Sequence, residues 1–278
     1  MNWELLCLKC GEVLDENLHC TKCQTIYSED KNGVLSLLNT MNSEKQNVEK
    51  LYNKLAENKK NIYGRFASYL NYGIHEKSKR YVGEQQASIS LIKEICNMSD
   101  LANKRVLDVG CGRGGMLLYI NNNYENCELV GIDIAYENVL FCKSYRKNIF
   151  FLRADAENIP FKKNSFDVVI NIESALHYPH IELFFLEVKR ILMEGGRFIY
   201  ADIVSADILE SRKHYLMKIG LKVVKEYDYT EKVLNSLLEK IKRQHITING
   251  LFDHEEIFEQ LRKREKHYVV WIMNKINT

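Results

Sequence analysis

The sequence predicts an α/β protein: a Rossmann-like, seven-stranded, mostly parallel sheet, preceded by a small N-terminal ribbon and a helical lid. Three observations carry that expectation. Apolar runs of strand length recur between residues 106 and 202 and alternate with stretches of helical pattern. The first of these runs breaks into a glycine-rich turn that opens a helix. Near the N-terminus, four cysteines fall into two C-x-x-C pairs.

Val106-Leu107-Asp108-Val109 reads as a buried strand, Gly110-Cys111-Gly112-Arg113-Gly114-Gly115 as the turn, and Met116-Leu117-Leu118 as the apolar start of a helix. Glycines let backbone close on a ligand, and the helix start offers unpaired amides to it. Two fingerprints overlap here. Gly110, Gly112 and Gly115 fit G-x-G-x-x-G, whereas Asp108, Gly110, Gly112 and Gly114 fit D-x-G-x-G-x-G. A carboxylate two residues before the first glycine would repel a pyrophosphate. A cofactor carrying an ammonium and a sulfonium can use it.

The next strand, Leu129-Val130-Gly131-Ile132-Asp133-Ile134, carries an acid about 20 residues past the glycines, where ribose hydroxyls can be bridged. A third strand in residues 149–154 runs into Asp155-Ala156-Glu157, and Ile159-Pro160-Phe161 turns the chain into a fourth at residues 166–171. A helix over residues 187–192, a stop at Gly195-Gly196 and a fifth strand at residues 197–202 follow. With its D-x-G-x-G-x-G turn, the run from residue 106 to residue 202 resembles a type 11 methyltransferase domain of the class I S-adenosylmethionine-dependent methyltransferases. That resemblance implies S-adenosylmethionine as cofactor. It places Asp133 on the ribose, Asp155 on the adenine amino group, and Ile134 and Ala156 against the adenine faces. Asp108, Gly110, Cys111, Gly112, Gly114 and Asn171 complete the implied cofactor set. Taken singly, Asp133 and Asp155 read equally well as helix caps or loop acids.

The chain has 278 residues and a net charge of only +2, so no global basic field points to nucleic acid. No apolar stretch reaches the roughly 18 residues of a membrane span. Met1-Asn2-Trp3-Glu4 lacks the basic-then-apolar order of a signal peptide, and a cytoplasmic setting is expected. Three regions are expected: a ribbon over residues 1–38, a helical linker and lid over 39–98, and the core over 99–278 with an acceptor cap at about 228–265.

Of eight cysteines, Cys96, Cys111, Cys127 and Cys142 are scattered, while Cys7, Cys10, Cys20 and Cys23 form the two knuckles. Such turns suit tetrahedral zinc, and in a reducing compartment metal is favoured over disulfides. The segment from Cys7 to Leu38 looks like the zinc ribbon that precedes some bacterial methyltransferase domains. Four protein ligands leave no open position, so the metal would be structural. Redox or incidental cysteines are the alternative.

Residues 42–60 read as a largely solvated helix with an apolar stripe at Val48, Leu51, Tyr52 and Leu55. Tyr69-Leu70-Asn71-Tyr72-Gly73-Ile74, then a helix over residues 83–96, resembles the N-terminal lid of small-molecule methyltransferases acting on polyketide, glycolipid and sterol-like hydroxyls. By that resemblance Tyr72 closes over the methionine part of the cofactor; a core aromatic is the alternative.

After the fourth strand comes Asn171-Ile172-Glu173-Ser174-Ala175-Leu176-His177-Tyr178-Pro179, similar to the Glu-Ser-x-x-His-Tyr-Pro stretch of lipid and polyketide O-methyltransferases. Ligands of open α/β sheets bind at the carboxyl ends of strands, so Glu173 and His177 belong near the transferred methyl. A neutral imidazole accepts a proton near pH 7, making His177 the candidate base. Glu173 orients cofactor or substrate, or caps a helix. A helix at 206–219 and strands at 220–227 and 267–273 close the sheet with an antiparallel edge. Between those strands lies a mostly helical cap on which Lys240, Lys242, Arg243 and His245 read as a solvated face.

Three functions are compatible with these readings: methylation of a hydroxyl on a small-molecule acceptor, methylation of an RNA base with the ribbon as RNA reader, and a non-catalytic binding module. The lid element and His177 favour the first, while near-neutral charge weighs against nucleic acid. The acceptor's identity and the oligomeric state are not encoded in any motif.

Overall fold

A computed structural model describes residues 3–62, 69–81, 83–145, 148–243 and 254–276. Its centre is one sheet of eight strands, numbered in chain order: β1 Ser36–Leu37, β2 Arg105–Val109, β3 Glu128–Asp133, β4 Phe150–Ala154, β5 Phe166–Ile172, β6 Leu192–Ser205, β7 Leu221–Asp228 and β8 Lys266–Lys275. Their order across the sheet is β1-β4-β3-β2-β5-β6-β8-β7. All pairs are parallel except β6 with β8 and β8 with β7. The helices are α1 Ser43–Ile62, α2 Glu84–Asn97, α3 Gly115–Asn123, α4 Tyr136–Tyr145, α5 Ile181–Ile191, α6 Leu209–Lys218, α7 Thr230–Arg243 and α8 His254–Arg262.

The pleat sorts the apolar strand residues onto two faces. Along β8, Val269, Trp271 and Met273 join one core, while Tyr268, Val270 and Ile272 join the other. α5 and α6 cover the first face, and α2, α3, α4, α7 and α8 pack with the second. Both faces being buried explains the near-continuous apolar runs of β2, β3 and β5.

Two details depart from the sequence expectation. The sheet has eight strands, not seven, because Ser36–Leu37 pairs in parallel with Arg153 and Ala154 of β4. A two-residue strand inside Val34-Leu35-Ser36-Leu37-Leu38 carries too short a pattern to separate from the ribbon it ends. Secondly, Gly195-Gly196 does not stop the chain before the fifth expected strand. β6 already begins at Leu192 and shifts register against β5 between Phe166 and Val168, so the glycines lie within the strand as an irregularity.

The ribbon shares a core with the sheet. Leu5, Leu14, Cys7 and Cys20 are buried in the same cluster as Leu107, Val130 and Phe161. Trp3 stacks on Phe166 with ring centroids 5.2 Å apart, and Leu5 bridges to Phe161. The tip of the ribbon reaches α4, where the Tyr136 hydroxyl donates to Asp30 at 2.6 Å and Lys143 pairs with Glu29 at 2.7 Å.

Candidate active site

The carboxyl ends of β2, β3, β4 and β5 line one partly open cavity, the place where open α/β sheets bind ligands. β2 delivers Asp108, and the glycine turn folds back so that Gly110 and Cys111 both donate to the Ile132 carbonyl, at 2.8 and 3.0 Å. Gly110 has φ +71°, and a Cβ there would stand 1.9 Å from Ser174 Oγ. Only glycine lets this turn lie so close to the loop after β5.

β3 delivers Asp133. One of its oxygens accepts from Gly112 N at 2.8 Å and the other from Ala135 N at 2.8 Å. β4 leads to Asp155, which accepts from Glu157 N at 2.9 Å and from Lys45 Nζ at 2.6 Å. Ile134 and Ala156 line the wall beside these acids. Burial pushes the Asp108 carboxyl up to about 8, helped by the like charge of Asp133. Burial also raises Asp133, against the pull of its backbone hydrogen bonds. Acids held so far from water are in a state that a cationic ligand would relieve.

At the β5 end, Glu173 takes φ +51°, a left-handed conformation uncommon for a residue with a side chain and frequent at functional sites. Its carboxylate accepts from Tyr72 N at 2.9 Å and from the Tyr268 hydroxyl at 2.7 Å. Burial pushes it up to about 8, against those two bonds and the charge of Lys240, while Asp202 adds like-charge repulsion. His177 sits in a short helical turn, Ala175–His177, with its ring edge-on to Tyr52 at 5.5 Å. Burial lowers its pKa, so the imidazole is neutral near pH 7.

Of the expected cofactor residues, Asp108, Gly110, Cys111, Gly112, Asp133, Ile134, Asp155 and Ala156 line the cavity, as do Glu173 and His177. Tyr72, Gly114 and Asn171 are not part of its wall. Gly114 is the N-cap of α3, beneath the turn. Asn171 is fully buried and donates to the Val109 carbonyl and the Tyr178 hydroxyl, tying the ends of β2 and the β5 loop together from behind. Tyr72 contributes its backbone instead: its N–H holds Glu173 and its carbonyl accepts from Ser236 Oγ at 2.8 Å. Tyr52 and Tyr69 are the lid aromatics in the wall.

The strap around Tyr72 is pinned from both sides. A Cβ at Gly73 would lie 2.6 Å from the Ala87 backbone of α2, and from α7 Lys240 Nζ reaches the Asn71 carbonyl at 3.4 Å. Lys240 is therefore buried, at 6% exposure, and not part of the solvated face expected of it. Lys242 is exposed as expected; the side chain of Arg243, and His245, lie outside the described residues. The sequence reading also missed Lys45, which lines the cavity although its helix was read as wet. Asp202 was missed too. It is fully buried behind the loop, accepts from Leu176 N at 3.0 Å, and is pushed up to about 7 by burial. Its signal was an acid set inside the apolar run of β6, between Ala201 and Ile203.

In the ribbon, the Sγ atoms of Cys7, Cys10, Cys20 and Cys23 all lie within 4.8 Å of one another. Cys7 and Cys23 are 3.5 Å apart and Cys10 and Cys20 3.4 Å, too far for disulfides. Four thiolates on one zinc stand about 3.8 Å apart. The donor set fits that metal.

Residues 107–200 match the family described as Methyltransferase domain. A phthiotriol/phenolphthiotriol dimycocerosates methyltransferase of Mycobacterium tuberculosis is 39% identical over 120 residues, 42% of this chain and 44% of that relative. A fatty-acid O-methyltransferase of Mycolicibacterium smegmatis is 35% identical over 143 residues, 48% of this chain and 52% of the relative. The chain spans about half the length of these curated relatives. Among solved structures, geranyl diphosphate C-methyltransferase from Streptomyces coelicolor A3(2), in complex with S-adenosyl-L-homocysteine, superposes with TM-score 0.69 at 14% identity, covering 86% of this chain and all (100%) of that one. The cyclase SpnF does so with TM-score 0.69 at 19% identity, covering 84% of this chain and 97% of its own. Likeness at such identity establishes the fold, which hosts more than one chemistry. Residues 107–200 therefore match a methyltransferase domain, set in the fold shared with these solved structures.

Proposed function

We propose that the chain transfers a methyl group from S-adenosylmethionine to a hydroxyl of a small, largely apolar acceptor. The observation that carries this reading is one cavity lined in strand order by Asp108, Asp133 and Asp155, with Glu173 and His177 at its far end. The cofactor, when bound, supplies an electrophilic methyl. Asp133 takes the ribose hydroxyls, Asp155 the adenine amino group, Ile134 and Ala156 the adenine faces, and Asp108 with the glycine turn faces the cationic amino-acid part. Alignment of the acceptor and exclusion of water supply much of the rate. His177 takes the acceptor proton as the new bond forms. Glu173 orients the site, since Tyr72 and Tyr268 hold its carboxylate in place.

The names of the curated relatives support a lipid-like acceptor. A hydroxyl is favoured over a carboxylate because the acceptor end is acidic. Lys45 is the one lysine or arginine among the described residues lining the cavity, and it is engaged by Asp155 and Glu157 at the opposite end. The test supplies methyl-labelled S-adenosylmethionine with a long-chain alcohol or a fatty acid of equal length. Label extracted with the alcohol is the expected outcome. Label found only in the methyl ester contradicts it.

Cys7, Cys10, Cys20 and Cys23 hold a structural zinc in this reading, with no role in methyl transfer. Metal analysis of chelator-free protein should return about one zinc per chain. Cys10→Ser and Cys20→Ser should lose it and loosen the ribbon while S-adenosylhomocysteine still binds. Content below about a tenth of an equivalent rules the site out, given how tightly such sites hold metal.

A further inference from the structure

α1 crosses the cleft, a consequence of where its two ends are fixed. Lys45, on its first turn, lies 2.6 Å from both Asp155 Oδ2 and Glu157 Oε2, beyond the end of β4. Tyr52, seven residues on, packs against His177 beyond the end of β5. In the sheet, β4 and β5 are separated by β3 and β2, three strand spacings or roughly 14 Å. Seven helical residues rise about 10.5 Å, and two long side chains make up the difference. The helix therefore runs over Asp133 and the glycine turn, with Lys45, Val48 and Tyr52 facing the cavity at the i, i+3, i+7 spacing of one helical face.

Its polar neighbours are matched on the rim. Glu49 pairs with Arg153 of β4, whose Nε also donates to the Ile134 carbonyl at 3.0 Å. Asn53 Oδ1 accepts from Glu137 N at 3.1 Å, satisfying an amide in the first turn of α4 that has no partner within its own helix. These are not loose surface pairs: the side chains of Lys45, Asp155, Glu49 and Arg153 are all less than a fifth exposed, and that of Glu157 is 2% exposed.

We infer that α1 is a latched cover over the bound cofactor, and that Lys45 is the positioning residue that holds it shut. The inference rests on the cofactor reading above. Without Lys45, two adjacent buried carboxylates face each other uncompensated. With it, Asp155 still has acceptor sites to spare, because a carboxylate offers about four and two are used here. Cover and adenine amino group therefore share Asp155 without competing. The cofactor leaves only when the Lys45 and Glu49 pairs open together.

The test follows release of labelled S-adenosylmethionine from the full-length chain by rapid filtration after dilution into unlabelled cofactor. Lys45→Met should release about 5–30-fold faster than wild type, the change that a loss of about 1–2 kcal/mol produces. Glu49→Gln should accelerate release by a smaller factor. Lys45→Arg should restore slow release, since a guanidinium fork also bridges two carboxylates. Melting temperatures of the cofactor-free variants control for damage to the fold. Unchanged or slower release from Lys45→Met overturns the latch, slower release meaning that lysine and adenine compete for Asp155. Equal acceleration in Lys45→Met and Lys45→Arg also overturns it. Failure of the wild type to bind S-adenosylmethionine, seen before any variant is made, overturns the cofactor reading and the latch with it.

Discussion

On one side of the cleft, three acids stand at the ends of three adjacent parallel strands, β2, β3 and β4; Asp108 is buried in the sheet, and Asp133 and Asp155 are held by backbone amides. On the other side, the wall is assembled from pieces far apart in sequence: Tyr52 of α1, Tyr69 of the strap, Glu173 and His177 after β5, and Tyr268 of β8 behind Glu173. The first half takes its geometry from the sheet, whose hydrogen-bonded strands leave little freedom. The second takes it from helices and loops that must dock before the wall exists. Such a division lets loop-borne residues change without disturbing the sheet.

The sharpest way to break this comparison is to remove one group from each half. His177→Ala should lower kcat by about 10²–10⁴-fold, the usual contribution of a general base, while the affinity for S-adenosylmethionine stays near wild type. Since burial lowers the His177 pKa, the acid limb of the rate should fall below the ordinary imidazole value of about 6.5. A variant with near wild-type turnover and no acid limb would leave alignment as the main catalytic device. Asp133→Ala should instead weaken cofactor binding about 10–150-fold, the equivalent of about 1.5–3 kcal/mol for charge-assisted hydrogen bonds. Its effect on turnover at saturating cofactor should be slight.

A smaller effect spans both halves. Asp108 and Glu173 are pushed up to about 8 and Asp202 to about 7 in the folded chain, whereas unfolded carboxyls titrate near 4. Between those values the folded state binds more protons than the unfolded one, so stability falls as pH rises. The contribution is complete below about pH 4 and is lost as pH climbs through about 7–8. The melting temperature of cofactor-free protein should therefore drop between about pH 6.5 and 8.5. Asp202→Asn should flatten that slope. A melting temperature that rises over this window would mean that these acids are ionised and solvated.

The same division governs what the sequence discloses. Asp108, Asp133 and Asp155 are legible because each follows an apolar run at fixed spacing from a glycine turn, and the parallel sheet converts that spacing into one cavity. Glu173 and His177 are legible because they directly follow such a run. Tyr52 lies on the apolar stripe legible in its helix, but nothing local says that this stripe, or Tyr69 of the strap, will face the cavity, and nothing marks Lys45 as covered. Lysines usually stay in water; Lys45 and Lys240 are drawn inside by partners roughly 110 and 170 residues away in the chain, Asp155 and Asn71. Tyr72 and Asn171 show a different limit: neither lines the cavity; Asn171 ties the ends of β2 and the β5 loop together, and the Tyr72 N–H holds Glu173. The eighth strand was hidden by its length. The remaining seven were legible as apolar runs, with a mostly parallel sheet and an antiparallel edge expected, but their order across the sheet is set by tertiary pairing and not by any run.

Calorimetry on the wild-type chain addresses the identity of the ligand in the cleft directly. S-adenosylmethionine and S-adenosylhomocysteine should each bind one per chain with micromolar or tighter affinity, corresponding to about −8 kcal/mol or better. NAD should give no heat, because a pyrophosphate would add negative charge beside the clustered acids Asp108, Asp133 and Asp155. No lysine or arginine among the described residues lines the glycine turn's side of the cavity to offset it. Binding of NAD with none of S-adenosylhomocysteine would contradict the account.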